Sequence, residues 1–347
     1  VINLSGRELL FKLSNSCAVS GYEKRLHPIL KSCFEEYVDD ISIGNLEQFI
    51  ALKKGDGKFK ILITAHSDEV GLMVMGINDR GFISFTQIEG VDPKTLPAQE
   101  VIIHGRSEIY GVIGARPPHV LTKEDRKKAV KIEDMLIDTG LPKEEIEKYV
   151  TPGDFITVKR DCRELLNGFI SGKALDDRAG ICTLYECAKI LKERKHAPDV
   201  YFAATTMEEV GHMGAKVTSY DINPDLAIAI DVTSADRYMD SEITPDCGRN
   251  IRFAVGPNLH PELTQKLMDT ADKAKIPYVT TVEPGKTGTD AWDMQISRSG
   301  IPVALISVPL RYMHTSAEVI NYSDVEKLGR LLAEFICSIK DWGDIYA

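Results

Sequence analysis

The chain has 347 residues, 43% of them hydrophobic and 27% charged, with a formal net charge of −10. That length exceeds what one hydrophobic core usually fills, so one large domain plus a smaller one is expected. The acidic balance argues against nucleic acid or an anionic membrane surface as partner, and no window approaches the ~18 consecutive apolar residues of a membrane span.

In chain order, the opening predicts helix, turn, helix. After Gly21 the residues Tyr22, Leu26, Ile29, Leu30, Cys33, Phe34 and Tyr37 recur at helical spacing. Asp39 to Leu52 alternates like strands around a turn at Gly44-Asn45. Lys53-Lys54-Gly55-Asp56-Gly57 then reads as a hairpin signal leading into a strand at Lys60–Ala65. From Val70 to Arg163 the short alternating runs Gly81–Ile88, Glu100–His104, Glu108–Gly114 and Asp154–Lys159 are separated by Asn78-Asp79-Arg80-Gly81, Pro93, Pro97 and Pro117-Pro118. This texture predicts a small antiparallel barrel, with one or two short helices in the charged stretch Thr122 to Val150.

After Gly168 strands and helices alternate. Ile181, Leu184, Tyr185, Ala188 and Leu191 form an amphipathic stripe, and Pro261 suits the first turn of a helix carrying Leu263, Leu267 and Ala271. Ser323 and Glu326 predict a capping box for a last helix whose core face is Val325, Leu328, Leu332, Phe335, Ile336 and Ile339. The expected architecture is a mixed-sheet α/β domain with helices on both faces, residues 1–69 and 164–347, interrupted by a β-rich barrel-like domain at 70–163.

Seven cysteines, odd in number and without a CxxC pair, read as small buried hydrophobes in a reducing compartment. The opening VINLSGRELLFKL lacks the basic-then-apolar order of a secretory signal, so a cytoplasmic location is expected.

Five segments end an apolar, strand-like run with a metal-binding side chain: ILITAHSDEVG (61–71), FISGKALDDRAG (169–180), VYFAATTMEEVG (200–211), LAIAIDVTSAD (226–236) and VALISVPLRYMHTS (303–316). Ligands gather at the carboxyl ends of strands in open α/β sheets, so five strands delivering His and carboxylates there suggest a site for two ions. His66 and Asp68 would share a face if the strand continues, one ligating and the other receiving a ring N–H. Asp176, opening a helix with Asp177 and Arg178, can direct one oxygen to each ion, although carboxylates there also serve as caps. Glu208 and Glu209 would repel at a buried strand end unless one ligates and the other accepts a proton; the residues leave open which does which. Asp231, directly after LAIAI, is costly to bury unpaired, and His314 completes the pattern. His plus carboxylates without cysteine fit catalytic zinc, cobalt or manganese rather than a closed structural site.

AHSDEVG, KALDDRAG, EEVGHMGA, GTDA and SVPLRYMHT, in this order, resemble the tetrahedral-aminopeptidase family, the glutamyl- and leucyl-aminopeptidase relatives with co-catalytic metals. The resemblance covers nearly the whole chain. It implies two divalent ions per subunit, one held by His66 and Asp231, the other by Glu209 and His314, with Asp176 between them. It makes Glu208 the general base and Asp68 the residue orienting His66. It also implies short peptides with free amino termini as substrates, and homo-oligomers, dimer to dodecamer, built through the inserted domain.

TGTDAW (287–292) looks like a loop lining the substrate pocket, with Thr289 and Asp290 as candidates and Arg311 a third; Lys286 or Arg252 could favour an acidic substrate, but both read rather as solvated surface. A neutral, leucine-like amino-terminal residue is the expected preference. The competing readings are a bimetallic deacylase or carboxypeptidase on the same scaffold, a glycosidase using Glu208 and Glu209, and a non-catalytic peptide-binding assembly protein. Gly285-Lys286-Thr287 imitates a P-loop end, but Thr280 stands where the leading glycine belongs.

Overall fold

The computed structural model describes residues 4–55, 58–120, 122–124, 130–235 and 245–346. Its main sheet has eight strands in the order Asp40–Ile43, Phe49–Lys53, Asp199–Thr205, Lys60–His66, Leu226–Ser234, Val303–Leu310, Ile251–Val255 and Tyr278–Val282. The four central strands are parallel, and their neighbours 49–53 and 251–255 run antiparallel to them. Near-continuous apolar runs such as LAIAI and VALIS are what strands covered on both faces require.

Side-chain alternation divides the interior in two. Ile61, Ile63, Ile228, Ile230 and Ile306 meet the helices Gly6–Asn15, Leu175–Lys192, Pro261–Lys273 and Tyr322–Ser338. Leu62, Ala203, Ala227 and Ala229 meet the shorter helices Met213–Ile222 and Asp290–Met294 on the opposite face, where alanine allows close approach. Helices therefore cover both faces of a mixed sheet, as expected. Helix 175–192 is buried beyond its apolar stripe, Cys182, Thr183 and Cys187 included, because helices 6–15 and 322–338 pack over its outer side. All seven cysteines are free and five are buried.

Six antiparallel strands close a barrel in the order Gly71–Ile77, Ile83–Ile88, Leu136–Asp138, Glu108–Gly114, Glu100–His104 and Phe155–Val158. It has its own core, including Leu72, Val74, Phe85, Ile103, Ile113 and Ile137. The charged stretch 122–150 holds a 3₁₀ turn at Ile132–Asp134 and one helical turn at Lys143–Ile146, with the unforeseen strand 136–138 between them. Residues 125–129 of that stretch lie outside the described residues. No helix among the described residues is long and apolar enough to cross a membrane.

Three local expectations differ from the structure. Strands 49–53 and 60–66 do not form a hairpin: strand 199–205 lies between them, pairing Tyr201 with Leu52 on one side and Leu62 on the other. A strand buried on both faces takes two long-range partners, which outweighs a local turn signal whose residues 56 and 57 fall outside the described set. The last helix begins at Tyr322, and its cap is Asn321, whose side chain accepts from Ser323 N–H. Asn321 ends an extended strand directly ahead of the helix and caps as well as serine does. Finally, Phe169–Gly172 is not part of the main sheet; it pairs with Arg163–Glu164 and Glu318–Asn321 in a separate three-stranded sheet.

Candidate metal centre

The four parallel strands bring their carboxyl ends to one edge. His66 is the last residue of its strand, opposite Thr205, and Asp231 lies within strand 226–234, opposite Ser307. Glu208 and Glu209 occupy the turn after strand 199–205. His314 sits in the loop after strand 303–310 with φ of 60°. Asp176 comes from the small sheet's side, in non-helical conformation before the regular turns of helix 175–192.

Asp176 stands between the two histidines. Its Oδ1 is 3.0 Å from His66 Nε2 and its Oδ2 is 3.3 Å from His314 Nε2. Two triads of ligand atoms result, His66–Asp176–Asp231 and Asp176–Glu209–His314, each with its atoms within 4.8 Å of one another. Glu209 Oε2 is 3.5 Å from His314 Nε2, and Glu208 Oε2 is 4.0 Å from His66 Nε2.

Strand 60–66 stops short of Asp68, so the intervening turn, not strand alternation, aims that carboxylate. Ser67 N–H donates to Thr205 O and Glu69 N–H to Ala18 O. Asp68 Oδ1 lies 3.4 Å from His66 Nδ1 and accepts from Glu208 N–H at 3.1 Å. Oδ2 accepts from Glu209 N–H at 3.2 Å and from the Ser20 hydroxyl at 2.7 Å. One buried carboxylate thereby fixes a histidine ring and the start of the two-glutamate turn. Behind it, Glu23 accepts from Met207 N–H, its own carboxyl pushed up to about 7 by burial and the Asp68 charge.

Arg178 neutralises charge. It is fully buried, donates to Leu13 O, and lies 3.5 Å from Glu69, which also pairs with Lys173.

Asp176, Glu208 and Asp231 are each at most 7% exposed. Burial, with the neighbouring carboxylates, pushes Asp231 well above the usual range and Glu209 to about 8. Burial also opposes ionisation of Asp176, yet the hydrogen bonds from His314 and His66 outweigh it and hold that carboxyl well below its ordinary value. His314 is raised to about 9 by Asp176. So dense a buried acidic cluster is chemically suited to cations, which would offset the repulsion that protons otherwise relieve. The all-N/O donor set with no thiolate fits zinc, cobalt or manganese.

Sequence reasoning did not single out three contributors. Glu318, 2% exposed, accepts from Leu175 and Asp176 N–H with Oε2 and from His314 N–H with Oε1. His314 Nδ1–H donates to Gly90 O, on the loop after barrel strand 83–88. His212 Nε2 lies 3.2 Å from Glu208 Oε1. Glu318 and His212 each lie four residues beyond a residue the motifs highlight; Gly90 carries no local signal.

Beside the triads opens a cavity of about 560 Å³, lined in part by Thr289, Met313, Arg252 and Glu283. Arg252, expected in solvent, is 7% exposed and donates to Glu283, Thr281 and Ser307. Lys286 is exposed, over the Trp292 ring. Asp290 is not on the cavity wall; it is buried and accepts from the Thr205 hydroxyl. Arg311 is not brought to the site. Its backbone pairs with Val319, and its guanidinium donates to Asp246 and covers Phe169.

The family model described as M42 glutamyl aminopeptidase matches residues 47–331. A lysyl aminopeptidase of Pyrococcus furiosus is 36% identical over 340 residues, 94% of this chain and 96% of that protein. Among solved structures, the TET aminopeptidase from the marine sediment archaeon Thaumarchaeota archaeon SCGC AB-539-E09 superposes with a TM-score of 0.93 at 30% identity, covering 98% of this chain and 99% of that one. The Pyrococcus horikoshii TET1 peptidase, which can assemble into a tetrahedron or a large octahedral shell, gives 0.85 at 29% identity, covering 96% and 100%. With a fold, a motif order and relatives that agree, the chain belongs to the M42 glutamyl aminopeptidase family and is a peptide-bond hydrolase.

Proposed function

We propose that this enzyme removes the amino-terminal residue of short peptides with two divalent ions per subunit, zinc or cobalt, with manganese as the alternative. The observation that carries this reading is the position of Asp176, one oxygen toward each histidine and each oxygen completing a separate triad. His66, Asp176 and Asp231 would hold one ion; Asp176, Glu209 and His314 would hold the other. When bound, such a pair polarises a scissile carbonyl and eases the ionisation of water.

Glu208, with Oε2 on the His66 side, takes a proton from the attacking water and hands it to the leaving amine. Asp68 keeps the His66 Nδ1–H engaged, so that Nε2 faces the ligand cluster, and it ties down the backbone of both glutamates. Thr289 on the cavity wall, with Arg252 and Glu283 cancelling each other's charge, supports a neutral amino-terminal side chain.

The same proposal divides the chain into a catalytic domain, 1–69 and 164–347, and an inserted domain, 70–163, through which copies self-associate. The assembling TET1 relative supports self-association, and the free cysteines support a cytoplasmic location. The test is chelation followed by assay on aminoacyl anilides. Activity should vanish and return with Zn²⁺ or Co²⁺, whereas undiminished hydrolysis by the metal-free protein would refute the reading.

A further inference from the structure

His212 opens helix 213–222 in left-handed conformation, with φ of 55°, and its N–H donates to Glu208 O at 3.1 Å. Gly211 N–H donates to the same carbonyl, and Gly214 N–H returns to Thr206 O. The turn is too tight at Gly214 for a side chain: an added Cβ would lie 2.4 Å from Thr206 N. Backbone alone thus sets His212 beside the glutamate four residues earlier.

The side chains continue that relationship. Glu208 Oε1 is buried, and no aligned hydrogen bond reaches it among the described residues. The group that faces it is His212 Nε2, at 3.2 Å. The other ring nitrogen, Nδ1, is 3.1 Å from Asp293 Oδ2, and Asp293 Oδ1 lies 3.7 Å from Lys216 Nζ. A ring held between two carboxylates carries a proton on each nitrogen. Burial opposes that charge, but Glu208 outweighs it and lifts the imidazole to about 9. Glu208 is therefore gripped on Oε1 while Oε2 points toward His66.

We propose that His212, itself oriented by Asp293, is a positioning residue for Glu208, holding one carboxylate oxygen so that the other stays aimed at the reacting water. This rests on the reading of Glu208 as general base. A glutamate free to swing would spend part of its time turned from the ligand cluster, so the grip acts on turnover and not on substrate or metal binding.

The test compares His212→Leu, His212→Gln and Asp293→Asn with the parent enzyme on a leucyl anilide, alongside zinc content by mass spectrometry and a thermal melt. His212→Leu should lower kcat on the order of ten- to a hundredfold, as for loss of a charge-assisted contact, with KM and zinc content unchanged. His212→Gln keeps a donor and should recover part of the loss; Asp293→Asn should fall between it and the parent. A crystal structure of metal-free His212→Leu should show the Glu208 carboxylate rotated. Unchanged kcat, a change in KM alone, or activity lost in step with zinc would overturn the proposal. Glu208→Gln serves as control. Full turnover there overturns the general-base assignment itself, whereas an inactive Glu208→Gln beside a fully active His212→Leu overturns only the role of His212.

Discussion

His314 and Gly90 lie 224 residues apart in sequence and 3.1 Å apart in space, the imidazole Nδ1–H donating to the glycine carbonyl. The barrel loop thus sets the tautomer of a proposed ligand on the main sheet's side, leaving Nε2 toward Asp176. Gly90 has φ of +71°, and an added Cβ would lie 2.8 Å from both His314 Nδ1 and Val70 Cγ1. Gly90→Ala should therefore displace the ring and weaken zinc binding roughly ten- to a hundredfold, as loss of an outer partner does. Calorimetric titration of the metal-free protein measures this; parental affinity would show that the contact orients nothing.

Glu318 gathers the N–H groups of Leu175, Asp176 and His314 on one buried carboxylate. Glu318→Ala leaves buried donors without an acceptor and should destabilise the fold by on the order of 3 kcal/mol. Glu318→Gln replaces one accepting oxygen with an NH₂ group, so it forfeits either the His314 contact or the contacts from Leu175 and Asp176. Urea unfolding midpoints and bound-zinc stoichiometry together test this. A Glu318→Ala protein as stable and as metal-replete as the parent would contradict it.

Glu208 and Glu209 are adjacent yet face different partners, His66 and His212 for the first, His314 for the second. Glu208→Gln should keep both ions and lose roughly a thousandfold in kcat. Glu209→Gln should lose metal on the His314 side and, with it, activity. Metal analysis of the two purified variants separates the roles, and the reverse pattern would exchange them.

Much of the donor set was legible because each member interrupts or ends an apolar run, where an unpaired charge is costly. The barrel was legible from its proline and glycine punctuation. Pairing was less so: strand 49–53 takes a partner about 150 residues on, and nothing in Lys53–Gly57 announces it. Asn321 caps the last helix two residues ahead of the serine that matched the local pattern. Arg252 read as solvated because burial of its charge depends on Glu283, Thr281 and Ser307, which only the sheet brings together. The Gly90–His314 contact is a tertiary accident of sequence, invisible to any motif.

His104 lies at the seam between the segment Glu23–Leu26 and the barrel. It stacks on Phe155, with Arg25 3.2 Å and Glu108 3.3 Å from Nδ1 and Thr157 at Nε2. Burial, then the Arg25 charge, lower it from 6.5 to about 4. The unfolded chain therefore binds more protons here between those values, so this contribution is complete above pH 6.5 and lost as pH falls toward 4. His104→Gln should flatten the fall in denaturation midpoint across that window. Equal slopes for the two proteins would remove His104 from the account.

Arg252 and Glu283 form an ion pair on the cavity wall, and Arg252 is nearly buried while Glu283 is partly exposed. Paired, they present no net charge to a substrate side chain, which suits the neutral preference proposed above. Glu283→Gln removes the nearest carboxylate and leaves the guanidinium, still held by Thr281 and Ser307, without its ion-pair partner on the cavity wall. A buried charge without its partner attracts any anion that can reach it. The variant should therefore gain kcat/KM on glutamyl relative to leucyl anilide by roughly tenfold, with lysyl anilide moving the opposite way. Competition assays with the three anilides at low and high salt would show the shift shrinking as screening rises. An unaltered ranking would mean that the amino-terminal side chain binds away from this pair.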